Sequence, residues 1–342
     1  MKIGIIGDIH FSEYSSILRS RGEEYSTRLE NCIDSINWAE SIMRENDCSL
    51  IVYLGDFFDK SSLNAEELTA LSDIKWEYSI PHRILVGNHE MGINSLLYSS
   101  AHIFNSTGFE VIDYNKLEVW DDNVEICYLP YVLEENREPL ESYFKPFEKD
   151  RKIRYMFSHN DIAGIQMGQF ISKAGFSIEE IEENCDLFVN GHLHNGMPIT
   201  NKILNLGNLT GQNFSEDGFK YSHNVMVIDT DKEDYRIINN PFAINFYKIE
   251  NKDDLNRVNN AVVTVKVKPE EAVQLREKLE NDSNIIASRL IIDYSNRDSV
   301  SDVDNVTLAI NHLDEFSKFA QRELSGQVDH DLMMEELSFI YG

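Results

Sequence analysis

Short apolar runs alternate with amphipathic stretches through the first ninety residues of the chain. Residues 2–7 and 50–54 are near-continuous apolar runs, the second reading Leu-Ile-Val-Tyr-Leu, the pattern of strands buried on both faces. Between them Leu29, Ile33, Ile36, Ala39 and Met43 recur at helical spacing and predict a helix over 26–46, with Glu40 the polar exception on its apolar face. A helix over 64–76 and a strand over 83–86 repeat the unit, and strand, helix, strand in succession predicts a parallel sheet. The pattern then changes. Residues 109–112, 117–120 and 124–129 are short β-like runs separated by polar turns, which suits antiparallel pairing. Runs at 153–157, 187–190, 203–206, 224–229 and 235–238 continue the β pattern. The expected fold class is α/β: a two-layer β-sandwich core flanked by helices, over 1–249.

Beyond this core the composition shifts. Residues 250–260 are polar and rich in Asn, and a strand at 261–267, a helix at 270–280 and a strand at 285–293 follow. These predict a small βαβ cap over 250–295. Residues 296–342 begin with a polar linker rich in Ser and Asp. Val306, Ile310, Leu313, Ser317 and Ala320 then mark an amphipathic helix, widened by Phe316 and Phe319, and a last short helix covers 332–340. An exposed face of that breadth is a liability, so a partner's groove is the expected occupant.

The 342 residues carry 59 acidic and 31 basic side chains, a formal net charge of −28. That excludes a broad basic face for nucleic acid, though divalent cations can reverse the sign locally. No apolar run approaches the roughly 18 residues of a membrane helix. Met1 begins directly on a strand, and Cys32, Cys48, Cys127 and Cys185 form no C-x-x-C, so a cytoplasmic protein with reduced thiols and no membrane contact is expected. The loop at 11–25, with Arg19 and Arg21, reads as solvated, and so does the basic cluster at 149–154.

The chemistry gathers where strands end. Five strand ends carry Asp8 and His10; Asp56; Asn88 and His89; His159; and His192 and His194. In open α/β sheets the carboxyl ends of strands are where ligands bind. Singly, each histidine is better explained as a hydrogen-bonded core or loop residue. Together, mixed oxygen and nitrogen donors of this kind suit Mn²⁺, Fe²⁺ or Zn²⁺. Eight such groups exceed what one ion takes and match two, with one group left for catalysis.

Taken in order, Asp8-Ile9-His10, Gly55-Asp56-Phe57-Phe58-Asp59, Gly87-Asn88-His89-Glu90, His159 and Gly191-His192-Leu193-His194 reproduce the series D-x-H, G-D-x-x-D, G-N-H-[DE], H and G-H-x-H. The chain thus resembles the calcineurin-like metallophosphoesterases. The resemblance implies that Asp8, His10 and His194 bind one metal and that Asn88, His159 and His192 bind the other, with Asp56 bridging. It also implies that His89 is a catalytic histidine outside the ligand set and that Mn²⁺ is the metal. Asp59 is the expected hydrogen-bond partner of His89, raising its pKa so that it can serve as general acid.

Within the superfamily the layout of core, cap, linker and amphipathic helices is most similar to the nuclease subunit of the SbcCD type, in its short phage and bacterial form. Gly207-Asn208-Leu209-Thr210 also resembles that family's segment after G-H-x-H. This implies a DNA exonuclease and endonuclease, 3′-to-5′ in polarity, serving repair or recombination. It further implies a homodimer and an SMC-like coiled-coil ATPase bound by the C-terminal helices. Glu90 departs from the family's usual G-N-H-D and matches protein Ser/Thr phosphatases. Those phosphatases, however, have arginines where this chain has Lys60 and Val86. A phosphatase or a small-molecule phosphodiesterase is the alternative reading, and a non-enzymatic scaffold would be missing a ligand.

Overall fold

The computed structural model describes residues 1–293 apart from 16, 19, 121, 148–151 and 168–169, so the linker and helices expected over 296–342 lie outside the described residues. The chain divides into two units, one of residues 1–266 with 273–291, the other starting with 267–272 and resuming at 292.

Two six-stranded sheets form the first unit's core. In one, Lys2–Ile6, Leu50–Tyr53, His82–Leu85 and Glu110–Ile112 run parallel, and Asn224–Asp229 then Asp234–Asn239 extend the other edge antiparallel. In the other, Val124–Leu129, Ile153–Ser158, Leu187–Asn190 and Ile203–Asn205 run parallel, flanked antiparallel by Lys116–Val119 and Met197–Pro198. Alternate side chains explain the continuous apolar runs. Ile3, Ile5, Leu50, Val52 and Leu54, with Met226 of the same sheet, pack inward against Tyr128, Phe157 and Val189 of the facing layer. Ile6, Ile51, Tyr53 and Ile84 pack outward with Leu29, Ile36 and Met43 of helix Thr27–Glu45. On the far side, Cys127, Met156 and Phe188 pack with Ile181 of helix Ile178–Asn184. The fold is therefore a mixed α/β sandwich with helices outside.

Helix Thr27–Glu45 starts where Ser26 accepts the N–H of Leu29 at 3.2 Å. Its polar exception, Glu40, is 1 % exposed. The Glu40 carboxylate accepts Tyr53 Oη–H at 2.5 Å, the Glu77 N–H at 2.9 Å and a His82 Nε2 contact at 3.1 Å. Burial and this carboxylate push the Tyr53 phenol well up. A polar residue on an apolar face thus ties the helix to two strands and the loop before the third.

Several expectations are corrected. The helix expected over 64–76 ends at Leu71, because Ser72 turns its hydroxyl back to Thr69 O at 2.6 Å and leaves Ile74 to pack as loop. The strand at 110–112 does not join an antiparallel set. It pairs in parallel with His82–Leu85, and residues 113–115 carry the chain over to the second sheet. Within the cluster at 149–154, Arg154 is buried on a strand and donates to Glu125 Oε2 at 2.9 Å, so it is no solvated turn residue. Arg21 pairs with Glu66 at 2.7 Å on the surface, as a solvated loop residue does, whereas Arg19 lies outside the described residues. All four cysteines are free and buried. No helix among the described residues is long and apolar enough to cross a membrane.

A three-stranded sheet of Asn245–Ile249, Ala261–Val267 and Ile285–Ile292 follows the core, with the first two strands parallel. It therefore begins ahead of residue 250. Helix Ala272–Glu280 connects its last two strands. In the second unit the Asp293 N–H donates to Val267 O at 2.8 Å, and Pro269–Glu271 forms a 3-10 turn.

Candidate metal centre

The candidate residues lie on loops after five parallel strands, three from one sheet and two from the other. Close backbone approach makes this convergence possible. A Cβ on Gly87 would lie 2.2 Å from Asp56 Oδ1, and one on Gly191 would lie 2.5 Å from Asp8 Oδ1. His10, Asp56 and His192 adopt left-handed backbone angles, with φ of 50°, 45° and 70°. Such strain in non-glycine residues collects at functional sites.

Three groups of donors result. One ligand atom each from Asp8, His10 and His194 lie within 4.8 Å of one another, and so do atoms from Asp56, His159 and His192, and from His10, Asp59 and His89. Asn88 Oδ1 lies 3.1 Å from His159 Nε2 and 3.0 Å from His192 Nδ1, which places it with the second group. Asp56 Oδ2 is 3.1 Å from His159 Nε2 and 3.9 Å from His10 Nε2, between the first two groups. All eight residues singled out at the strand ends, and Asp59, are thereby brought together.

The remaining ring nitrogens are held from behind. His159 Nδ1 faces Leu54 O at 2.9 Å, His192 Nε2 faces Asp161 Oδ1 at 3.1 Å, His194 Nδ1 faces Glu216 Oε1 at 3.0 Å and His10 Nδ1 faces Asp59 Oδ1 at 3.2 Å. Outer partners of this kind fix which nitrogen points into a metal site. Two inward atoms, Asp8 Oδ2 and His10 Nε2, are buried with no hydrogen-bond partner among the described residues. Buried polar atoms left in this way cost stability unless a ligand completes them. The donors present therefore fit a pair of divalent cations.

Charge follows the same geometry. Burial works against ionisation of Asp59, but hydrogen bonds from His10 and His89 outweigh it and hold the carboxyl well below its usual range. His89, with Nδ1 3.5 Å from Asp59 Oδ1, is raised to about 9, chiefly by that carboxylate. His159 is disfavoured as a cation by burial, yet Asp56 and Asp8 raise it to about 9, whereas burial lowers His10. Cations need neutral ring nitrogens, so metal binding here would release protons. A cavity of about 510 Å³ opens over the site, lined by Asp56, His89, His192, His194 and Tyr221 among others, with no Lys or Arg among the described residues.

Sequence reasoning missed the supporting residues. Glu216 and Asp161 lie in loops with no periodic pattern; only the position of Asp161, two residues past His159, hinted at a role. Arg28 is 3 % exposed and donates to Ile9 O at 2.7 Å and Gly211 O at 2.9 Å, fastening the loop that carries Asp8 and His10. Glu90 is buried and accepts the N–H of Phe58 at 3.0 Å and of Gly87 at 2.8 Å. It braces the loops after the second and third strands. Burial and the nearby Asp56 carboxylate push it up to about 8.

Comparison with curated proteins gives no match. Among solved structures, an archaeal phosphodiesterase is 15% identical with a TM-score of 0.37, over 70% of this chain and 99% of that one. A dimetal phosphatase from Danio rerio is 16% identical with a TM-score of 0.41, over 66% and 91%. A protein from Thermus thermophilus is 11% identical with a TM-score of 0.38, over 70% and 98%. The family model for calcineurin-like phosphoesterases matches residues 1–196, more than half of the chain and all five motifs, and the chain belongs to that family of metal-dependent phosphoesterases.

Proposed function

We propose that the chain is a two-metal DNA phosphodiesterase, the nuclease subunit of an SbcCD-type assembly, with Mn²⁺ as its metal. The observation that carries the metal-dependent reading is the convergence of donors around the buried, unpartnered Asp8 Oδ2 and His10 Nε2. In this reading Asp8, His10 and His194 would hold one cation and Asn88, His159 and His192 the other, with Asp56 within reach of both groups. Bound there, two cations would supply an activated water at neutral pH and stabilisation of charge on a phosphoryl group. The chain's own contribution to the leaving group is His89. Asp59 occupies its Nδ1 side and keeps the ring protonated, which leaves Nε2 to deliver a proton to the leaving oxygen.

Three observations favour a diester over a phosphomonoester. Among the described residues the cavity has no guanidinium or ammonium to meet the second charge of a monoester. Lys60, where phosphatases carry an arginine, is bound to buried Glu67 at 2.9 Å. Glu90, the residue that matches the phosphatases, is committed to bracing backbone. The acidic chain favours a partner that holds the DNA backbone, and an SMC-like ATPase docked on the helices that the sequence predicts within 296–342, with a homodimeric nuclease, is the assembly proposed.

The test is Mn²⁺-dependent hydrolysis of end-labelled linear DNA by the purified chain, with bis-p-nitrophenyl phosphate and a phosphoserine peptide in parallel. DNA degradation that His89→Gln abolishes without loss of metal is the expected result. Cleavage of the phosphopeptide alone would sink the nuclease reading. Deleting residues 305–342 is expected to preserve diester cleavage and to abolish binding of the ATPase.

A further inference from the structure

Beside the metal centre lies a second concavity of about 430 Å³. The hairpin of Met91–Gly92 and Ser95–Ser99 forms one wall, and the turn at 113–115 and the run at 129–133 form the others. Tyr131 connects the two sites. Its ring lies 5.7 Å from that of His192 and 6.4 Å from that of His159, and its N–H donates to Val86 O at 3.0 Å.

The lining sets the ligand chemistry. Among the described residues it contains no Lys or Arg, and the one acid among them, Asp113, faces His102 at 3.5 Å, so nothing there suits a phosphate. Tyr114 and Leu97 are 55 % and 71 % exposed, an arrangement of apolar surface open to solvent. The side-chain amides of Asn94 and Asn136 lie at the rim with no hydrogen bond among the described residues. The hairpin tip is held by two left-handed residues, Ile93 at φ 48° and Asn94 at φ 53°. That backbone is costly for a β-branched residue such as Ile93. Flat aromatic surface, unused amides and absence of charge match a neutral heterocycle, and the volume is within the range of small-molecule sites.

We propose that this groove is a nucleobase subsite: it stacks a base on Tyr114 and Tyr131 while the phosphodiester of the same strand lies over the metal ligands. The proposal rests on the phosphodiesterase reading and adds to it where the strand is gripped, at an unpaired nucleotide beside the scissile bond.

Two measurements on the full chain test it. The first is binding of 2-aminopurine deoxyriboside, read by fluorescence quenching, which needs no catalysis. Saturable quenching is expected, weakened about ten-fold in Tyr114→Ala, the order of one stacked base. The second is the ratio of kcat/KM for thymidine 5′-(4-nitrophenyl) phosphate to that for bis-p-nitrophenyl phosphate. That ratio is expected to fall about ten-fold in Tyr114→Ala and in Leu97→Asp. Absence of quenching in the wild type overturns the subsite whether or not diesters are cleaved. An unchanged ratio in both variants overturns it as well, and assigns the apolar groove to some other occupant. Quenching without any diester hydrolysis supports the subsite and removes the catalytic reading alone.

Discussion

Replacing Glu216 by alanine should weaken one of two metal sites and leave the other intact. Glu216 is 1 % exposed, and its Oε1 lies 3.0 Å from His194 Nδ1 and 3.2 Å from Asn213 Nδ2, while Oε2 accepts the Gln212 N–H at 2.9 Å. A hydrogen bond to a charged group contributes about 1.5–3 kcal/mol. Loss of an outer partner of a metal-bound histidine typically costs ~10–100-fold in affinity, which is about 1.4–2.7 kcal/mol at 1.4 kcal/mol per ten-fold. The two estimates overlap near 2 kcal/mol, or roughly 30-fold. Glu216→Gln keeps an acceptor oxygen and drops the charge, so a smaller loss of ~3–10-fold is expected. The assay is calorimetric titration of the chelator-stripped chain with Mn²⁺. His194 is opposed as a cation by burial, but Glu216 overrides this and raises it, so the titration belongs at alkaline pH where protons do not compete. The expected result is one weakened and one unaltered binding step. Equal weakening of both steps, or of neither, would refute the assignment of His194 to the site of Asp8 and His10.

Three further outcomes are expected. Glu40→Ala strands Tyr53 Oη and His82 Nε2 in the core and releases the half-buried Glu77 N–H, and should cost about 3–5 kcal/mol in urea unfolding; a loss below about 1 kcal/mol would show that the network contributes little. Gly87→Ala should abolish divalent-metal binding while leaving far-UV circular dichroism intact, since its Cβ would lie 2.2 Å from Asp56 Oδ1; wild-type metal content would contradict this. Burial opposes ionisation of Glu125, but hydrogen bonds from Arg154, Lys145 and Lys152 hold it at about 2. Because the folded value lies below the ordinary 4.5, the stability it contributes is present above that pH and is lost as pH falls toward 2. Melting curves of wild type and Glu125→Gln should therefore converge over that window, and parallel curves would contradict the pairing.

The core was legible because its strands are buried on both faces, which writes Leu50 to Leu54 as an unbroken apolar run. Helix Thr27–Glu45 showed through its 3.6-residue rhythm even with Glu40 in the middle of the face. Local signals failed where partners are distant in sequence. Nothing in residues 110–112 says that the next strand will leave the sheet, so the parallel pairing with His82–Leu85 was hidden. The helix at 178–184 is seven residues with four glutamates, too short to establish a period, although Ser177 and Glu180 close a capping box. The residues that cluster at the strand ends could be read because D-x-H and its companions must follow strand ends. Glu216, Asp161 and Arg28 could not, because their work is to hold other residues, and any loop that reaches the right atom would serve. Glu90 was legible as a motif letter, but its task, bracing the Phe58 and Gly87 amides, required coordinates.

Because three loops of one sheet and two of the other contribute to a single cluster, cations bound there would rivet the layers of the sandwich together. Ligand binding that requires the folded state adds RT ln(1 + [L]/Kd) to stability, so metal should raise the melting temperature of the whole domain. The relation also runs in reverse. A core substitution between the layers, at Val52 or Phe157, is expected to shift one sheet against the other and so to move Asp56 relative to His159. Metal affinity then becomes a gauge of how the two sheets are registered, readable from positions that touch no ligand.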